Sequence, residues 1–264
     1  MLNVVDSIYQ QSVKPHSITI LDDGSCPKLN IPSSSSKFKI YNNISNRGRG
    51  FIRRLAIDKA DTDFIFFCDA TNIVPSDFIK SAILHFSDPK VAAVSGKIAN
   101  EFNTCSIAIN WRGRHLFKQD HDFGKISHET GSLTTYGTIF RRSAVLDVGN
   151  FNPSLRHSED KDLGKRLLNS GYKIIGDPNL VVYSIKKDTI FSVLERYWRW
   201  YGGEDENMSL CDYLNAIKAS FKPMIQQDLN AKDWRAALVS FLCPHYGYMR
   251  YHYRKITGNL QKIV

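Results

Sequence analysis

Apolar and polar positions along the first two thirds of this sequence predict strands and helices in alternation. Short apolar runs are followed by polar turns and then by segments with apolar positions three or four residues apart. The predicted strands are residues 17–21, 38–41, 63–68, 91–94, 136–140, 174–175 and 180–183. The predicted helices are residues 3–11, 48–60, 76–86 and 159–169, and after residue 188 the pattern is helical at 189–201, 210–226, 232–242 and 245–255.

This order of elements predicts an α/β protein. Strands that alternate with helices over short connections form a mostly parallel, Rossmann-like sheet flanked by helices, built from right-handed crossovers. We expect one α/β domain at residues 1–186, with a first half at about 1–98 and a second half at about 99–186. Residues 187–264 are then a C-terminal helical extension.

The charge of the chain changes the interpretation of its C-terminal part. The net charge of +9 is uneven, since six Lys and Arg residues after position 231 face one acid, Asp233, among six aromatic residues. Basic and aromatic residues together suit an anionic membrane surface, and they also suit a solvated helix whose aromatic side chains pack inward. Both interpretations stay open. Nucleic acid has only the charge in its favour, and we do not expect it as a partner.

The cysteines and the hydropathy bear on location. The five cysteines are scattered and form no CxxC pair, which argues against a disulfide framework and favours a reducing compartment. The first twelve residues do not have the pattern of a signal peptide, and no run approaches the roughly 20 apolar residues of a membrane span. We therefore expect a cytoplasmic protein, in contact with the inner membrane surface at most.

Acidic residues follow two predicted strands and begin one predicted helix. Residues 22–25 read Asp-Asp-Gly-Ser after the first strand, Asp69 follows the strand at 63–68, and Glu159-Asp160 begins the helix at 159–169. The carboxyl ends of parallel strands meet at the edge where open α/β sheets bind ligands. Carboxylates there suit a metal-bound diphosphate and a hydroxyl group that must lose its proton. This arrangement indicates group transfer from a nucleotide donor.

Each of these segments also has a simpler explanation. Asp and Gly favour tight turns, so residues 22–25 are equally typical of a plain turn, and Asp69 is placed to cap one. Glu159 and Asp160 complement the dipole of a helix N-terminus. The glycines and arginines of residues 46–50, which precede a helix that carries Arg53, suit either a phosphate or a solvated basic helix start.

Taken in order, these segments resemble the family 2 glycosyltransferases, which have the GT-A fold. The resemblance runs from about residue 2 to residue 201. It rests on SIYQQ at 7–11, ILDDGS at 20–25, GRG at 48–50 with Arg53, FFCDA at 66–70, FRR at 140–142, GNF at 149–151, and EDKDL at 159–163 with RL at 166–167.

The resemblance implies a reaction and a set of roles. It implies inverting transfer of a sugar from a nucleotide-sugar donor of the UDP, GDP or dTDP type to a hydroxyl of a polysaccharide or glycolipid, with the two halves of the domain serving donor and acceptor. Asp160 would be the general base, with Glu159 beside it in the catalytic pair. The donor would be bound by Asp22, Asp23, Ser25, Arg53 and Asp69. Asp69 would also bind a divalent metal, Mn²⁺ or Mg²⁺.

Three departures from the family pattern qualify this assignment. Thr71 stands where the metal motif usually has a second acid, so the metal requirement is open, with Asn72 or Asp77 as replacement ligands. The segment at 196–200 has Arg where processive members have the Gln of Q-x-x-R-W, which argues against processive polymerisation. The sequence also begins at the helix that follows the family's first strand. The alternative function is therefore a catalytically impaired, glycosyltransferase-like binding or scaffold protein.

Overall fold

The computed structural model describes residues 2–29, 38–101, 106–119, 128–201 and 208–257. The chain divides into two compact units. The first unit contains Met1–Ala99 and Phe123–Ile185, and the second contains Asn100–Asp122 and Lys186–Val264. The division of the α/β part into donor and acceptor halves stays a prediction.

The elements follow the predicted alternation. The strands are β1 (Thr19–Asp22), β2 (Lys39–Asn42), β3 (Phe64–Cys68), β4 (Asn72–Ile73), β5 (Val91–Asn100), β6 (His128–Glu129), β7 (Gly137–Arg141) and β8 (Lys173–Ser184). The helices are α1 (Leu2–Tyr9), α2 (Arg49–Lys59), α3 (Phe78–Ile83), α4 (Ile107–His115), α5 (Arg142–Asp147), α6 (Glu159–Asn169), α7 (Ile190–Tyr201), α8 (Leu210–Ala219), α9 (Gln226–Asn230) and α10 (Trp234–Thr257). A 3₁₀ turn, Leu84–Ser87, follows α3, and a π-helical segment, Ser220–Ile225, joins α8 to α9.

The α/β class is confirmed, but the strand directions correct the prediction of a mostly parallel sheet. β1 and β2 form a separate parallel pair. In the larger sheet the order is β3-β7-β5-β8-β4, with β6 beside β8, and β7 runs antiparallel to both of its neighbours. β4 and β6 are each antiparallel to β8. Apolar runs predict burial on both faces, and a central antiparallel strand is as buried as a parallel one, so the sequence pattern does not specify direction.

The core of the first unit lies on both faces of the larger sheet. Neighbouring residues of β7 point to opposite sides, as the period of two requires. Phe140 packs with Ile57 of α2 and Leu163 of α6, whereas Ile139 packs with Phe78 of α3. Burying each such side chain contributes about 1.5–3 kcal/mol. The sheet is therefore held between α2, α5 and α6 on one face and α3 on the other.

The strand β8 is one element where the sequence predicted two. The pattern breaks at residues 176–179, Gly-Asp-Pro-Asn, because proline and polar turn residues usually end a strand. In the structure the Asp177 carboxylate accepts hydrogen bonds from the backbone and side-chain amides of Asn179, at 2.9 and 3.1 Å. This local turn lets the chain pass Pro178 and continue in the same strand.

The second unit is helical and contains a fully buried carboxylate, Asp188. Its oxygens accept hydrogen bonds from Arg112 at 2.6 Å and from Ser192 at 2.9 Å, and Arg196 lies 3.1 Å away. Burial alone would raise the pKa of Asp188, but the charge of Arg196 and the hydrogen bonds from Arg112 and Ser192 outweigh it and hold that pKa below its ordinary value. Asp188 therefore fixes the start of α7 against α4.

A second buried carboxylate, Asp228, joins α4, α9 and α10. It accepts hydrogen bonds from Arg114 and Ser240, both at 2.5 Å, and lies 2.8 Å from the His115 Nε2 atom. The Trp111 indole donates to the Ser240 hydroxyl at 2.8 Å. Because Asp228, His115, Ser240 and Trp111 are buried and bonded to one another, they form a structural polar network rather than a reactive site.

Helix α10 is continuous where the sequence predicted two helices separated near Pro244. A proline inside a helix leaves the carbonyl four residues earlier without its usual N–H donor. Here that carbonyl belongs to Ser240, and the Ser220 hydroxyl donates to it at 2.6 Å. The missing backbone bond is thus replaced from the π-helical segment. No helix in the described part of the chain has the length and apolarity needed to cross a bilayer.

The start of α2 packs tightly against the segment that precedes α6. A Cβ atom added at Gly50 would lie 2.1 Å from the Asn152 carbonyl oxygen and 2.6 Å from that of Leu155. The Gly50 N–H also donates to the Leu155 carbonyl at 3.0 Å. This contact needs a residue without a side chain.

Replacing Gly50 by Ala should therefore destabilise the first unit by about 1–3 kcal/mol, the usual range for an overpacked position. This loss exceeds the roughly 1 kcal/mol by which Ala favours a helix over Gly. Urea unfolding followed by circular dichroism measures the change. Gly131→Ala is the matched control, because nothing lies within 4 Å of a Cβ atom at that position. Equal unfolding midpoints for the two variants would contradict the packing argument.

Replacing Asp188 by Asn should cost about 3–5 kcal/mol, since it leaves the buried Arg112 charge uncompensated. The native pKa of Asp188 is lowered, so its contribution is present above the unfolded pKa of about 3.9 and is lost as the pH falls through the folded pKa. Acid titration of the unfolding free energy should therefore be flatter for the variant below about pH 4. Glu129→Gln, which breaks the exposed pair with Lys173, is the control and should change stability by less than about 1 kcal/mol. If both variants lose the same free energy of unfolding, Asp188 does not hold α7 against α4.

Candidate active site

The loop before α2 is fixed by the carboxylate of Asp23. One of its oxygens accepts hydrogen bonds from the Asn43 side chain at 2.7 Å and the Arg47 backbone at 3.1 Å, and the other accepts from the Gly48 backbone at 2.7 Å. Gly24 has a φ angle of 76°, and a Cβ atom there would lie 2.6 Å from the Ser45 carbonyl carbon. The predicted turn at residues 22–25 is present, and Asp23 holds it against the N-terminus of α2.

Asp22 and Ser25 are bonded to each other. The Ser25 hydroxyl and backbone N–H both donate to Asp22 Oδ1, at 2.5 and 3.1 Å, and Asp22 is buried. Two backbone donors near the start of α2 are also engaged within the protein, since Gly48 bonds to Asp23 and Gly50 to the Leu155 carbonyl. Those two donors do not take part in a phosphate site at this helix end.

Arg53, on the second turn of α2, is the centre of the acidic cluster. Its side chain is 12% exposed and forms an ion pair with Glu159, and its guanidinium lies 3.9 Å from Asp69. Burial lowers the pKa of Arg53 to about 10, with the positive charge of Arg49 acting in the same direction. The charges of Asp69 and Asp160 raise it. Arg53 therefore remains a cation at neutral pH, held among three carboxylates.

The acidic pair at the start of α6 separates into a buried and a reachable residue. The Glu159 side chain is 1% exposed, and Arg53 is its charged partner in the described part of the chain. Asp160 is only partly buried, and one of its oxygens accepts a hydrogen bond from the Lys161 backbone at 2.9 Å. Of the two carboxylates, Asp160 is the one that a bound molecule can reach.

Ser158 precedes this pair in a left-handed conformation, with a φ angle of 57°. Its side chain makes no capping hydrogen bond to the helix. Non-glycine residues with such angles are uncommon, and they concentrate at functional sites because the surrounding structure must hold them there. Here the strained residue sets the direction in which α6 begins.

Asp69 lies in a turn after β3 and is 53% exposed. Its carbonyl accepts a hydrogen bond from the Asn72 backbone at 2.9 Å, while the Asn72 side chain donates to the Tyr136 carbonyl at 2.8 Å. Burial raises the pKa of the neighbouring Cys68 thiol to about 12, and the charge of Asp69 adds to this effect. Cys68 is therefore a protonated thiol at neutral pH and not a nucleophile.

The oxygen groups near Asp69 provide a sparse donor set for a metal ion. Thr71 follows Asp69 in the same turn, its carbonyl accepts a hydrogen bond from the Ile185 backbone at 2.9 Å, and Ser184 lies opposite Asn72. Within the described residues, no group of three or more His, Cys, Asp or Glu side chains could hold a metal ion. The residues fit an ion that Asp69 shares with the phosphates of a ligand, because Mg²⁺ is often bound by one carboxylate and substrate phosphates.

The structure thus brings Arg53, Asp69, Glu159 and Asp160 into one cluster. Asp22, Asp23 and Ser25 are joined to this cluster through the loop that leads into α2. Their contact with a nucleotide stays a prediction. Asp77, the other expected replacement ligand, is exposed at the start of α3.

The contact between Arg156 and the loop before α2 is not evident from the sequence. The Arg156 guanidinium donates to the side chain and the carbonyl of Asn46, at 2.9 and 3.0 Å. A Cβ atom at Gly48 would also lie 2.8 Å from the Arg156 side chain. No local pattern connects positions so far apart in the sequence, so this contact could be found only from the folded chain.

Comparisons with known proteins agree with this fold. The family model described as glycosyl transferase family group 2 matches residues 64–254. The chain is 28% identical over 205 residues to the O-antigen chain rhamnosyltransferase RfbN of Salmonella typhimurium. The aligned region covers 74% of this chain and 65% of that protein. It is 26% identical over 216 residues to the poly-beta-1,6-N-acetyl-D-glucosamine synthase of Staphylococcus aureus. That alignment covers 78% of this chain and 52% of that protein. The chain thus spans between half and two thirds of the length of these two relatives.

Among solved structures, the crystal structure of GalNAc-T7 with UDP, GalNAc and Mn²⁺ aligns with a TM-score of 0.50 at 14% sequence identity. The alignment covers 96% of this chain and 54% of that one. At this identity the likeness concerns the fold, which is that of the GT-A glycosyltransferases. The resemblance found in the sequence is confirmed, and since the family model covers well over half of its residues, the chain belongs to glycosyl transferase family group 2.

Proposed function

We propose that this chain catalyses inverting transfer of a sugar from a nucleotide-sugar donor to a hydroxyl group of a polysaccharide or glycolipid. The observation that carries the proposal is the cluster in which Arg53 and Glu159 are paired and buried while Asp69 and Asp160 remain reachable. The names of the two relatives supply the acceptor class, since one acts on an O-antigen chain and the other synthesises a polysaccharide.

Asp160 is the general base in this proposal. Its carboxylate takes the proton from the acceptor hydroxyl while that oxygen attacks the anomeric carbon from the face opposite the diphosphate. The bond between the anomeric carbon and the diphosphate oxygen breaks as the new glycosidic bond forms, so the configuration inverts through an oxocarbenium-like transition state. Glu159, predicted as part of the catalytic pair, positions the site instead, because it is buried against Arg53.

Arg53 contributes positive charge where the diphosphate leaves. Departure of the diphosphate places additional negative charge on its bridging oxygen, and a preorganised cation lowers the energy of that state. Arg53 is suited to this role because Glu159 fixes its orientation and because its pKa of about 10 keeps it protonated at neutral pH. Asp22, Asp23 and Ser25 are proposed to contact the nucleotide of a UDP, GDP or dTDP donor.

Asp69 would hold a divalent ion, Mn²⁺ or Mg²⁺, when the donor is bound. Such an ion supplies Lewis-acid stabilisation of the departing diphosphate when it is bound. Asp69 is its one proposed carboxylate ligand in this chain, because Thr71 occupies the position of a second acid and the Asn72 amide is bonded to the Tyr136 carbonyl. We therefore expect the ion to bind with the donor rather than before it.

The second candidate function is a catalytically impaired binding or scaffold protein. Thr71 favours it, since a metal motif with one acid binds its ion weakly. The two functions differ in a simple respect: a binding protein retains donor or acceptor affinity without turnover, whereas an enzyme releases free nucleoside diphosphate.

We also propose that the reaction takes place in the cytoplasm. The four cysteines in the described part of the chain, Cys26, Cys68, Cys211 and Cys243, are free thiols. Free and scattered cysteines suit a reducing compartment. Fractionation of cells that express the tagged full-length protein tests this location.

Replacing Asp160 by Asn should reduce the transfer rate on the order of 10²–10⁴-fold, which is the usual contribution of a general base. The amide has nearly the same shape but takes up no proton, so donor affinity should stay within about threefold of the wild type. The measurement is release of UDP, GDP or dTDP in the presence of an oligosaccharide acceptor, with calorimetry for donor binding.

Asp162→Asn is the matched control, because Asp162 lies in the same helix and bonds to Arg166 at 2.6 Å. It should leave the rate nearly unchanged. Equal rates for wild type and Asp160→Asn would exclude Asp160 as the base. A wild-type chain that binds a donor but never releases nucleotide would favour the binding protein.

Replacing Thr71 by Asp should strengthen metal-dependent donor binding by roughly tenfold, because it supplies a second carboxylate beside Asp69. Calorimetric titration of UDP, GDP, dTDP and CDP with and without Mn²⁺ measures the effect. The contact between the Thr71 carbonyl and the Ile185 backbone is kept in the variant.

Removing Mn²⁺ with a chelator should weaken donor binding to the wild type and weaken it more to Thr71→Asp. Thr189→Asp is the control, since Thr189 lies outside the first unit and its change adds the same charge. Donor binding that is identical with and without metal in both chains would assign leaving-group stabilisation to Arg53 alone.

A further inference from the structure

Helix α10 exposes large apolar side chains on one side, both before and after Pro244. Six large side chains on it are between 41 and 84% exposed: Trp234, Leu238, Phe241, Met249, Tyr253 and Ile256. At about 100° per residue these positions fall within a sector of about 120°, which extends over the roughly 36 Å of a 24-residue helix. Scattered exposed apolar residues are normal, but six large ones within one sector of a single helix mark an interaction surface.

Most of this stripe lies away from the side of α10 that packs within the second unit. The opposite side of α10 carries the buried residues, among them Ala236, Val239 and Gly247. Ser240 on that side is bonded to Asp228 at 2.5 Å and receives the Trp111 indole at 2.8 Å. The helix is therefore held mainly by its inner face. On the outer face, Phe241 contacts the rings of Phe221 and His245, and the Tyr213 hydroxyl of α8 lies 2.7 Å from His245 Nδ1.

The apolar surface continues onto the neighbouring helical segment. Phe221, in the π-helical segment, is half exposed, and its ring centroid lies 6.2 Å from that of Phe241. Leu210 and Leu214 of α8 are exposed at helical spacing before it. Two adjacent elements thus present one surface, which is broader than a single helix.

Positive charge accompanies this surface. The described residues 208–257 contain seven Lys and Arg residues but only three acids, one of which, Asp228, is fully buried. The Arg235 guanidinium lies 5.4 Å from the Trp234 ring centroid, and Lys218 and Lys222 are exposed on the segment that carries Phe221. Large apolar side chains next to exposed cations are typical of helices that lie in the interface of an anionic bilayer.

We propose that the outer face of α10, with Phe221 and the exposed leucines of α8, binds an anionic lipid surface with the helix axis parallel to the membrane. The inner face of α10 is occupied by its own unit, so only one side is available to lipid. A second copy of this chain fits the surface less well, because pairing two such faces would bring their excess positive charges together. This inference is independent of the proposed sugar transfer.

The test is co-sedimentation of the full chain with vesicles of phosphatidylcholine alone and of phosphatidylcholine mixed with phosphatidylglycerol. Binding to the mixed vesicles should be at least about tenfold stronger and should weaken with added salt. In the double variant Leu238→Ser with Met249→Ser, binding to the mixed vesicles should fall by about tenfold or more. Leu84→Ser, an equally exposed change in the first unit, is the matched control and should bind as the wild type does.

A second pair of variants separates charge from apolar contact. Lys218→Gln with Lys222→Gln should lower binding to the mixed vesicles and leave weak binding to neutral vesicles unchanged. Quenching of tryptophan fluorescence by brominated lipid should occur in the wild type and decrease in Trp234→Phe. Circular dichroism spectra and melting temperatures that match the wild type show that the variants are folded.

Three results would overturn the proposal. The first is that the wild type fails to sediment with the mixed vesicles. The second is that the Leu238→Ser, Met249→Ser chain sediments as well as the control, and the third is that brominated lipid does not quench the fluorescence of Trp234. If the wild type is a dimer in lipid-free solution and the same two substitutions make it a monomer, the surface binds a second copy of the chain instead.

Discussion

The buried ion pair between Arg53 and Glu159 is the interaction on which the arrangement of the candidate site depends. It joins α2 to the first residue of α6, two helices that are far apart in the sequence. Removing one partner of such a pair leaves an uncompensated charge and typically costs about 3–5 kcal/mol. Because Glu159 is followed directly by Asp160, the pair also sets where the reachable carboxylate lies. A contact that supports folding thereby fixes the position of the proposed base.

The two ends of this ion pair are each held by further contacts. On one side, Asp23 fixes the loop before α2 through the Arg47 and Gly48 backbone. On the other, the close approach of Gly50 to the segment before α6 brings the two helix starts together, and Arg156 bonds the same loop. Asp23, directly after β1, thus helps to set the position of Asp160 through a series of backbone contacts. This effect does not depend on a contact between Asp23 and a nucleotide.

Much of the fold could be predicted because the sequence pattern reports burial. The positions of β1, β2, β3 and β7 and the bounds of α6 follow from it, and so does the placement of Asp69 after β3, whereas β4, β6 and the second half of β5 were not predicted. Strand direction did not follow, since a buried strand such as β7 has the same sequence pattern whether it runs parallel or antiparallel to its neighbours. Local rules also failed at prolines, since Pro178 and Pro244 both lie within continuous elements. At Pro178 a short side-chain turn from Asp177 to Asn179 carries the strand on, and at Pro244 the distant Ser220 hydroxyl replaces the missing backbone bond. The acids of the site could be found from the sequence, but their pairing with Arg53 required the folded chain.

The charges around Asp69 set how a metal ion would have to bind. Arg53 is already 3.9 Å from this carboxylate and is held there by Glu159, so a divalent ion at Asp69 experiences repulsion from a cation that cannot move away. A second acid at position 71 would offset that repulsion, and threonine does not. The diphosphate of a donor would offset it, because its negative charges attract both the ion and Arg53. In the proposed reaction the site would therefore favour an ion that arrives with the donor, and Arg53 would supply the fixed part of the positive charge that the departing diphosphate needs.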